Sequence, residues 1–271
     1  MSAISIRKSS NPAFNAGLMQ SLAHQPRNLD VSRSDVGDKV TVGGAAVKSA
    51  FLLFLLMATA LGVIVTFLPT IHTTRAIPAG LIACMVLGGI GGFGMAMYTI
   101  FVPSHSPYTA PIYAVVEGLV IGAISTAAEV GFPGIVFQAT GITFGAMLAI
   151  LGLYGSGIIR VTETFRAVLM GAMFALMFVY LFTFLFGLFG VQLPYAHEMM
   201  RGNGVLGIGF SLVVCVIAAL NFAIDFQNIE DAKEAGAPKW FEWYLGFGLL
   251  LTIVWLYMEV LRLLSKVRSN D

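Results

Sequence analysis

Past residue 47 the chain is a succession of long, unbroken apolar runs separated by short polar breaks. Seven runs fall at 48–68, 79–101, 111–130, 134–154, 166–190, 204–228 and 241–265. Each approaches or exceeds the roughly 20 apolar residues that a helix needs to cross a bilayer. The breaks FLPTIHTTRAIP, VPSHSPYTAP, VGFPG, YGSGIIRVTETFR, VQLPYAHEMMRGNG and EDAKEAGAPK carry proline, glycine or charge, the residues that end helices and mark membrane surfaces. The runs are continuous rather than alternating, so no strand pattern competes with helix. The pattern predicts an all-α membrane protein, a bundle of seven transmembrane helices with antiparallel neighbours. Residues 1–47, rich in Ser, Asn, Gly and charge, are expected to form a polar, mostly disordered tail. Residues 48–267 are left as the transmembrane domain.

Composition agrees. The chain has 271 residues, 58% hydrophobic and 11% charged, where an ordinary soluble domain carries about 25% charge. Mean hydropathy is +0.86. The expected partner is therefore the lipid bilayer. A net charge of +1 with no basic face speaks against nucleic acid. Cys84 and Cys215 both sit in apolar runs, as small packed hydrophobes do, so no disulfide framework is expected. The first run starts too late for a cleaved signal peptide. With the N-terminus inside, the cations near the spans on that side are Arg33, Lys39, Lys48, Arg160, Arg166, Lys233 and Lys239. Those on the other side are Arg75, Arg201, Arg262, Lys266 and Arg268. The count favours a cytoplasmic N-terminus, against which the basic C-terminal end stands as a discord.

Several motifs resemble chemistry without supplying it. GGIGGFG at 88–94 lies inside an apolar run, with no preceding strand and no acidic ribose partner, so close helix packing explains it better than a nucleotide loop. HEMMR at 197–201 has Arg201 where a zinc protease needs its second histidine. His72 and His105 read as solvated loop residues. FVYLFTFLFGLFG at 178–190 reads as a lipid-facing surface. There is no GxSxG elbow and no Cys–His arrangement, so no enzyme, catalytic residue, metal site or cofactor is expected.

The informative residues are three acids inside apolar runs: Glu117 in YAVVEGLVIG, Asp225 in LNFAIDFQN and Glu259 in VWLYMEVLRLL. A charged carboxylate in a membrane costs about 2.5–3.5 kcal/mol or more, so each needs a partner or water. Bland readings exist for all three. Glu259 can pair with Arg262 one turn on. Asp225 can be an interfacial helix end, and Glu117, one turn into its run, can be interfacial too. Glu129 and Glu242 read as solvated span ends. Against the bland reading of Asp225, FQNIEDAKEAG keeps helical character until Gly236 and Pro238. Asp225 then lies about 16 Å from the turn.

These acids also carry a resemblance. IDFQNIEDA followed by WLYMEVLRLL resembles the last two helices of the Bax inhibitor-1 family, the transmembrane BAX-inhibitor-motif proteins with bacterial YccA-like members. PIYAVVEGLVIGAIS resembles the E-G-x-x-x-G signature of that family's third span. Together these stretches cover most of residues 110–265, and the polar tail and the GAPKWFEWY insert resemble a bacterial subgroup. The resemblance implies a seven-span bundle of the Bax inhibitor-1 type in a bacterial cell membrane. It implies a pH-sensitive calcium leak in which two carboxylates form a proton-controlled latch, falling here on Asp225 and Glu259. Calcium would be cargo rather than cofactor. Three departures stand out: Glu259 where the family has Asp, a longer connection, and no arginine in the third span. Counted from Gly236 along straight helices, Asp225 and Glu259 lie about 16 Å and 34 Å deep. They meet only if residues 239–248 lie along the interface or bend at Gly246 and Gly248; otherwise Glu117 is a candidate partner for Asp225. The alternative reading is a regulator that binds a membrane-bound protease or stress-response assembly through the tail. An intramembrane aspartyl protease lacks its GxGD context.

Overall fold

The computed structural model describes residues 39–74, 76–189, 198–199 and 202–270. Helices account for nearly all of them: α1 Val42–Thr74, α2 Ala79–Phe101, a short 3-10 turn Pro103–His105, α3 Ser106–Gly131, α4 Ile135–Gly155, α5 Glu163–Leu188, α6 Val205–Glu234 and α7 Phe241–Arg268. Among the described residues seven helical segments are long and apolar enough to cross a membrane, and no strand is present. The seven-helix expectation holds. Its limits move in two places. α1 starts at Val42, so residues 42–47 of the expected tail are helical. α6 runs six residues past the apolar run, to Glu234.

The ends follow from local chemistry. α6 stops at Gly236, whose φ of +67° is the left-handed region that glycine adopts freely. The N–H of Gly236 donates to Lys233 O at 3.0 Å and that of Ala237 to Ala232 O at 3.0 Å. This paired closure satisfies the last carbonyls and turns the chain. α5 opens on Thr162, whose side chain accepts from the Phe165 N–H at 3.2 Å, with Glu163 in the first turn where the helix dipole favours an anion.

The helices divide into two compact units. The first takes the described residues up to Gly131 together with Asp225–Leu251. Here α3 packs on α1 and α2. Gly118 and Gly122 let α3 approach the α1 backbone. A Cβ on Gly118 would lie 2.7 Å from Leu56 O, and one on Gly122 would lie 2.7 Å from Ala60 O. Gly88 and Gly92 of α2 meet α3 in the same way at Val120 and Glu117, so the GGIGGFG stretch does serve close helix packing. Val63, Ile71, Leu81 and Ala123 form an apolar cluster where the three helices meet, with Phe67, Cys84 and Leu119 against it. The start of α7 belongs to the same unit: Phe247 packs edge-on to Tyr113 at 5.1 Å, and Gly246 leaves room for Ser49.

The second unit takes Phe132–Ile224 and the described residues from Thr252 onward. α5 shows lipid a broad apolar face along Phe174, Phe178 and Phe182, as expected for that stretch. α7, by contrast, buries 67% of its most apolar stretch against 12% for α5. Both cysteines are free, Cys215 buried and Cys84 partly so.

Candidate functional site

α6 continues nine residues beyond Asp225, placing this carboxylate about 14 Å of helix from the end at Glu234. It is buried, at 2% exposure, and engaged with a partner rather than free. Asp225 is therefore within its helix and not at its end. Asn221 and Asn228, at four and three residues from it, share its helix face and are equally buried. Their spacing was readable in LNFAIDFQN, but amides draw less notice than charge. The Asn221 side chain donates to Ile217 O at 3.2 Å, and Gln227 donates to Asp231 at 2.8 Å.

Glu259 sits 18 residues into α7, about 27 Å from its start. It is 3% exposed, and the local pairing with Arg262 is real. Arg262 Nη1 lies 3.0 Å from each carboxylate oxygen. Tyr180 of α5 completes the group. Its hydroxyl accepts from Arg262 Nη1 at 3.1 Å and donates to Glu259 Oε1 at 3.3 Å. Arg262 also lies over the Tyr180 ring, 5.9 Å from its centroid, and Phe210 flanks that ring edge-on at 6.5 Å. Tyr180 was missed because it sits in the phenylalanine-rich run; only one polar atom marks it as turned away from lipid.

Glu117 lies 11 residues into α3 and 14 from its end, about 17 and 21 Å along the axis. α3 begins at Ser106, ahead of the apolar run, so Glu117 lies further into its helix than the one turn expected. Glu117 is partly buried, one turn from buried Tyr113, with Oε2 against Gly92 of α2. Among the described residues no hydrogen bond or ion pair joins it to another. Asp225, Glu259 and Glu117 are therefore all within helices, but each has a different environment.

Glu242 corrects the expectation of a solvated span end. It is fully buried, at 0% exposure. The Thr41 N–H and hydroxyl donate to its Oε1 at 2.9 and 3.0 Å, Lys239 lies 2.9 Å from Oε1, and Lys48 pairs with Oε2. Val40 N donates to Ala237 O at 2.8 Å beside it. The approach of α1's first turn to α7's first turn encloses this carboxylate, a long-range contact that no local pattern announces. Glu129, the other expected solvated acid, is half-buried and engaged.

Two cations counted as membrane flanks are buried as well. Arg166 is 1% exposed. Lys266 is 4% exposed and donates to Met199 O at 3.0 Å, Gly207 O at 3.0 Å and Ser211 Oγ at 2.9 Å, using all three N–H bonds. His72 is exposed, but on the last turn of α1 rather than in a loop. His105, also exposed, has Nδ1 2.7 Å from the Tyr98 hydroxyl. Of the HEMMR motif only Glu198 and Met199 lie within the described residues, and the first 38 residues of the tail lie outside them. Among the described residues no cluster of three His, Cys, Asp or Glu side chains is arranged to hold a metal.

An all-helical membrane protein with buried acids on its last two helices is the class that this arrangement defines. The family model described as "Bax inhibitor 1 like" matches residues 11–269, and the chain belongs to that family. Comparisons with curated proteins and with solved structures give no match.

Proposed function

We propose that the protein is a pH-sensitive cation leak, with calcium as the cargo, in a bacterial cell membrane and with its N-terminus in the cytoplasm. The observation that carries the reading is the burial of Asp225 and Glu259, at 2% and 3%, inside apolar membrane-length helices. Ionisable side chains there are costly and in general mark ion or proton pathways. Membership of the Bax inhibitor-1 family supports the same reading. In this reading the ionised carboxylates attract a divalent cation, and their protonation removes that attraction.

The test is calcium entry into proteoliposomes across a pH series. Wild-type flux is expected to fall on acidification. Asp225→Asn is expected to flatten that dependence, because the amide carries no charge at any pH. An unchanged pH response in Asp225→Asn refutes the latch.

A further inference from the structure

Near the starts of α1 and α7 one carboxylate carries two ammonium groups. Lys239 lies 2.9 Å from Glu242 Oε1, and Lys48 pairs with Oε2. The acid is enclosed, whereas the Lys239 and Lys48 side chains are 43% and 18% exposed. A single negative charge is thus buried beneath two positive ones, and the surplus faces outward. Each ammonium has three N–H bonds to donate. Among the described residues Glu242 is the only acceptor that either lysine meets, so donors remain on both. Trp243 stands beside them. Lys48 lies over its ring, 5.6 Å from the centroid, and Phe51 meets that ring edge-on at 5.9 Å. The Trp243 side chain belongs to a partly exposed residue, and among the described residues its indole N–H has no acceptor. Indole nitrogen can only donate. From Lys48 the same face of α1 continues through Phe51, Leu55 and Ala58, spaced three and four residues apart. Phe51 and Ala58 are exposed and Leu55 is partly so. Spare donors and surplus positive charge therefore sit at the head of an apolar strip.

We infer that this corner is a binding site for an anionic phospholipid, its phosphate held by Lys48, Lys239 and the Trp243 indole and an acyl chain lying along Phe51, Leu55 and Ala58. The inference does not depend on the leak reading. Lysine and tryptophan are the side chains that suit the headgroup level, where an ammonium meets anionic lipid and an indole keeps its ring in the apolar layer. Charge decides between lipids. A headgroup with net negative charge balances the surplus, whereas a zwitterionic one brings a further cation to a place that already holds two. The apolar strip decides between lipid and soluble phosphate, since only a lipid covers it. Glu242 is a positioning residue here: its two oxygens hold the lysines side by side, where they would otherwise repel each other.

The test is native mass spectrometry of the purified full-length protein, released from detergent that contains equal amounts of dioleoyl phosphatidylglycerol and dioleoyl phosphatidylcholine. The ratio of the two in the first bound lipid is the readout. Wild type is expected to favour phosphatidylglycerol about fivefold, the factor that about 1 kcal/mol of attraction at one surplus lysine represents. Lys239→Gln leaves Glu242 paired with Lys48 and is expected to bring the ratio close to one. Lys233→Gln removes an exposed cation of the same α6–α7 turn that lies outside the site, and the ratio is expected to stay. Should Lys239→Gln not fold, Trp243→Phe carries the test: it keeps the ring and removes the donor, and about a twofold fall is expected, roughly the weaker end of what one hydrogen bond contributes. Equal binding of the two lipids by wild type overturns the site. So does an equal fall in Lys233→Gln and Lys239→Gln, which would mean diffuse surface charge, or an unchanged ratio in the variant that folds. Glycerol phosphate in excess, a headgroup without chains, is expected not to displace phosphatidylglycerol; displacement would overturn lipid as the occupant.

Discussion

Single residues show where charge can be held in this molecule. Glu242 is enclosed with Lys48, Lys239 and Thr41, and Thr41 contributes both its N–H and its hydroxyl. Removing one member of a buried pair strands the other, at a cost of about 3–5 kcal/mol, whereas replacing both by apolar groups is often close to neutral. Glu242→Leu alone is therefore expected to lower the thermal midpoint in detergent strongly. Glu242→Leu with Lys48→Met is expected to recover much of the loss, and failure to recover would mean that Thr41 or Lys239 dominates. Lys239 is 43% exposed on its side chain, and water already supports its charge. Sequence reading found the three intrahelical acids because a charge within an apolar run is a local signal. It placed Glu242 in water because Thr41 and Lys48, which enclose that residue together with nearby Lys239, are 201 and 194 positions away. The same limit hid Tyr180, which is 79 positions from its carboxylate.

At the scale of elements, the existence of every helix was legible, and the boundaries were legible where a stop signal exists. Gly236 and Pro238 mark the end of α6 because glycine alone adopts that backbone freely. The start of α3 was misplaced because SPYTAP carries two prolines and polar residues, yet Pro107 falls in the first turn, where donors are unpaired anyway, and Pro111 lies inside the helix. Glycines divide by what lies opposite them, which sequence cannot tell. Gly122 faces the α1 backbone at Ala60 O, whereas Gly145 of α4 has nothing within 4 Å of a Cβ. Gly122→Ala must push two helices apart, and overpacking of this kind costs about 1–3 kcal/mol. Gly145→Ala is expected to leave the thermal midpoint unchanged or raise it slightly, by the better helix propensity of alanine. Measuring both in the same detergent separates packing from propensity; equal effects would deny α1 and α3 their close approach.

For the whole molecule the unresolved matter in the sequence was direction: the loops favoured a cytoplasmic N-terminus, but Arg262, Lys266 and Arg268 gathered at the far end. Each of the three has a structural occupation. Arg262 is paired with Glu259, Lys266 is enclosed by three oxygens, and Arg268 donates to Pro133 O at 2.8 Å and Gln138 Oε1 at 3.0 Å. A charge retained because the folded bundle uses it says little about which side it faces, since the orientation rule concerns cations left in short loops near span ends. On the opposite side Lys39 and Lys233 stay beside the α6–α7 turn, Lys239 is paired with Glu242, and Arg160 in its loop is exposed and donates to Gly157 O at 3.2 Å. Lys48, Lys239 and Arg166 are likewise used by the fold, so the cytoplasmic N-terminus stays a proposal, under which seven crossings would put the C-terminus outside. A Ser269→Cys probe in a background with Cys84 and Cys215 replaced by alanine is expected to react with a membrane-impermeant maleimide on intact spheroplasts. Labelling only after lysis would reverse the orientation. It would also put the Glu259 end of α7 on the cytoplasmic side, so that the pH series in the flux assay would have to be run on the other face.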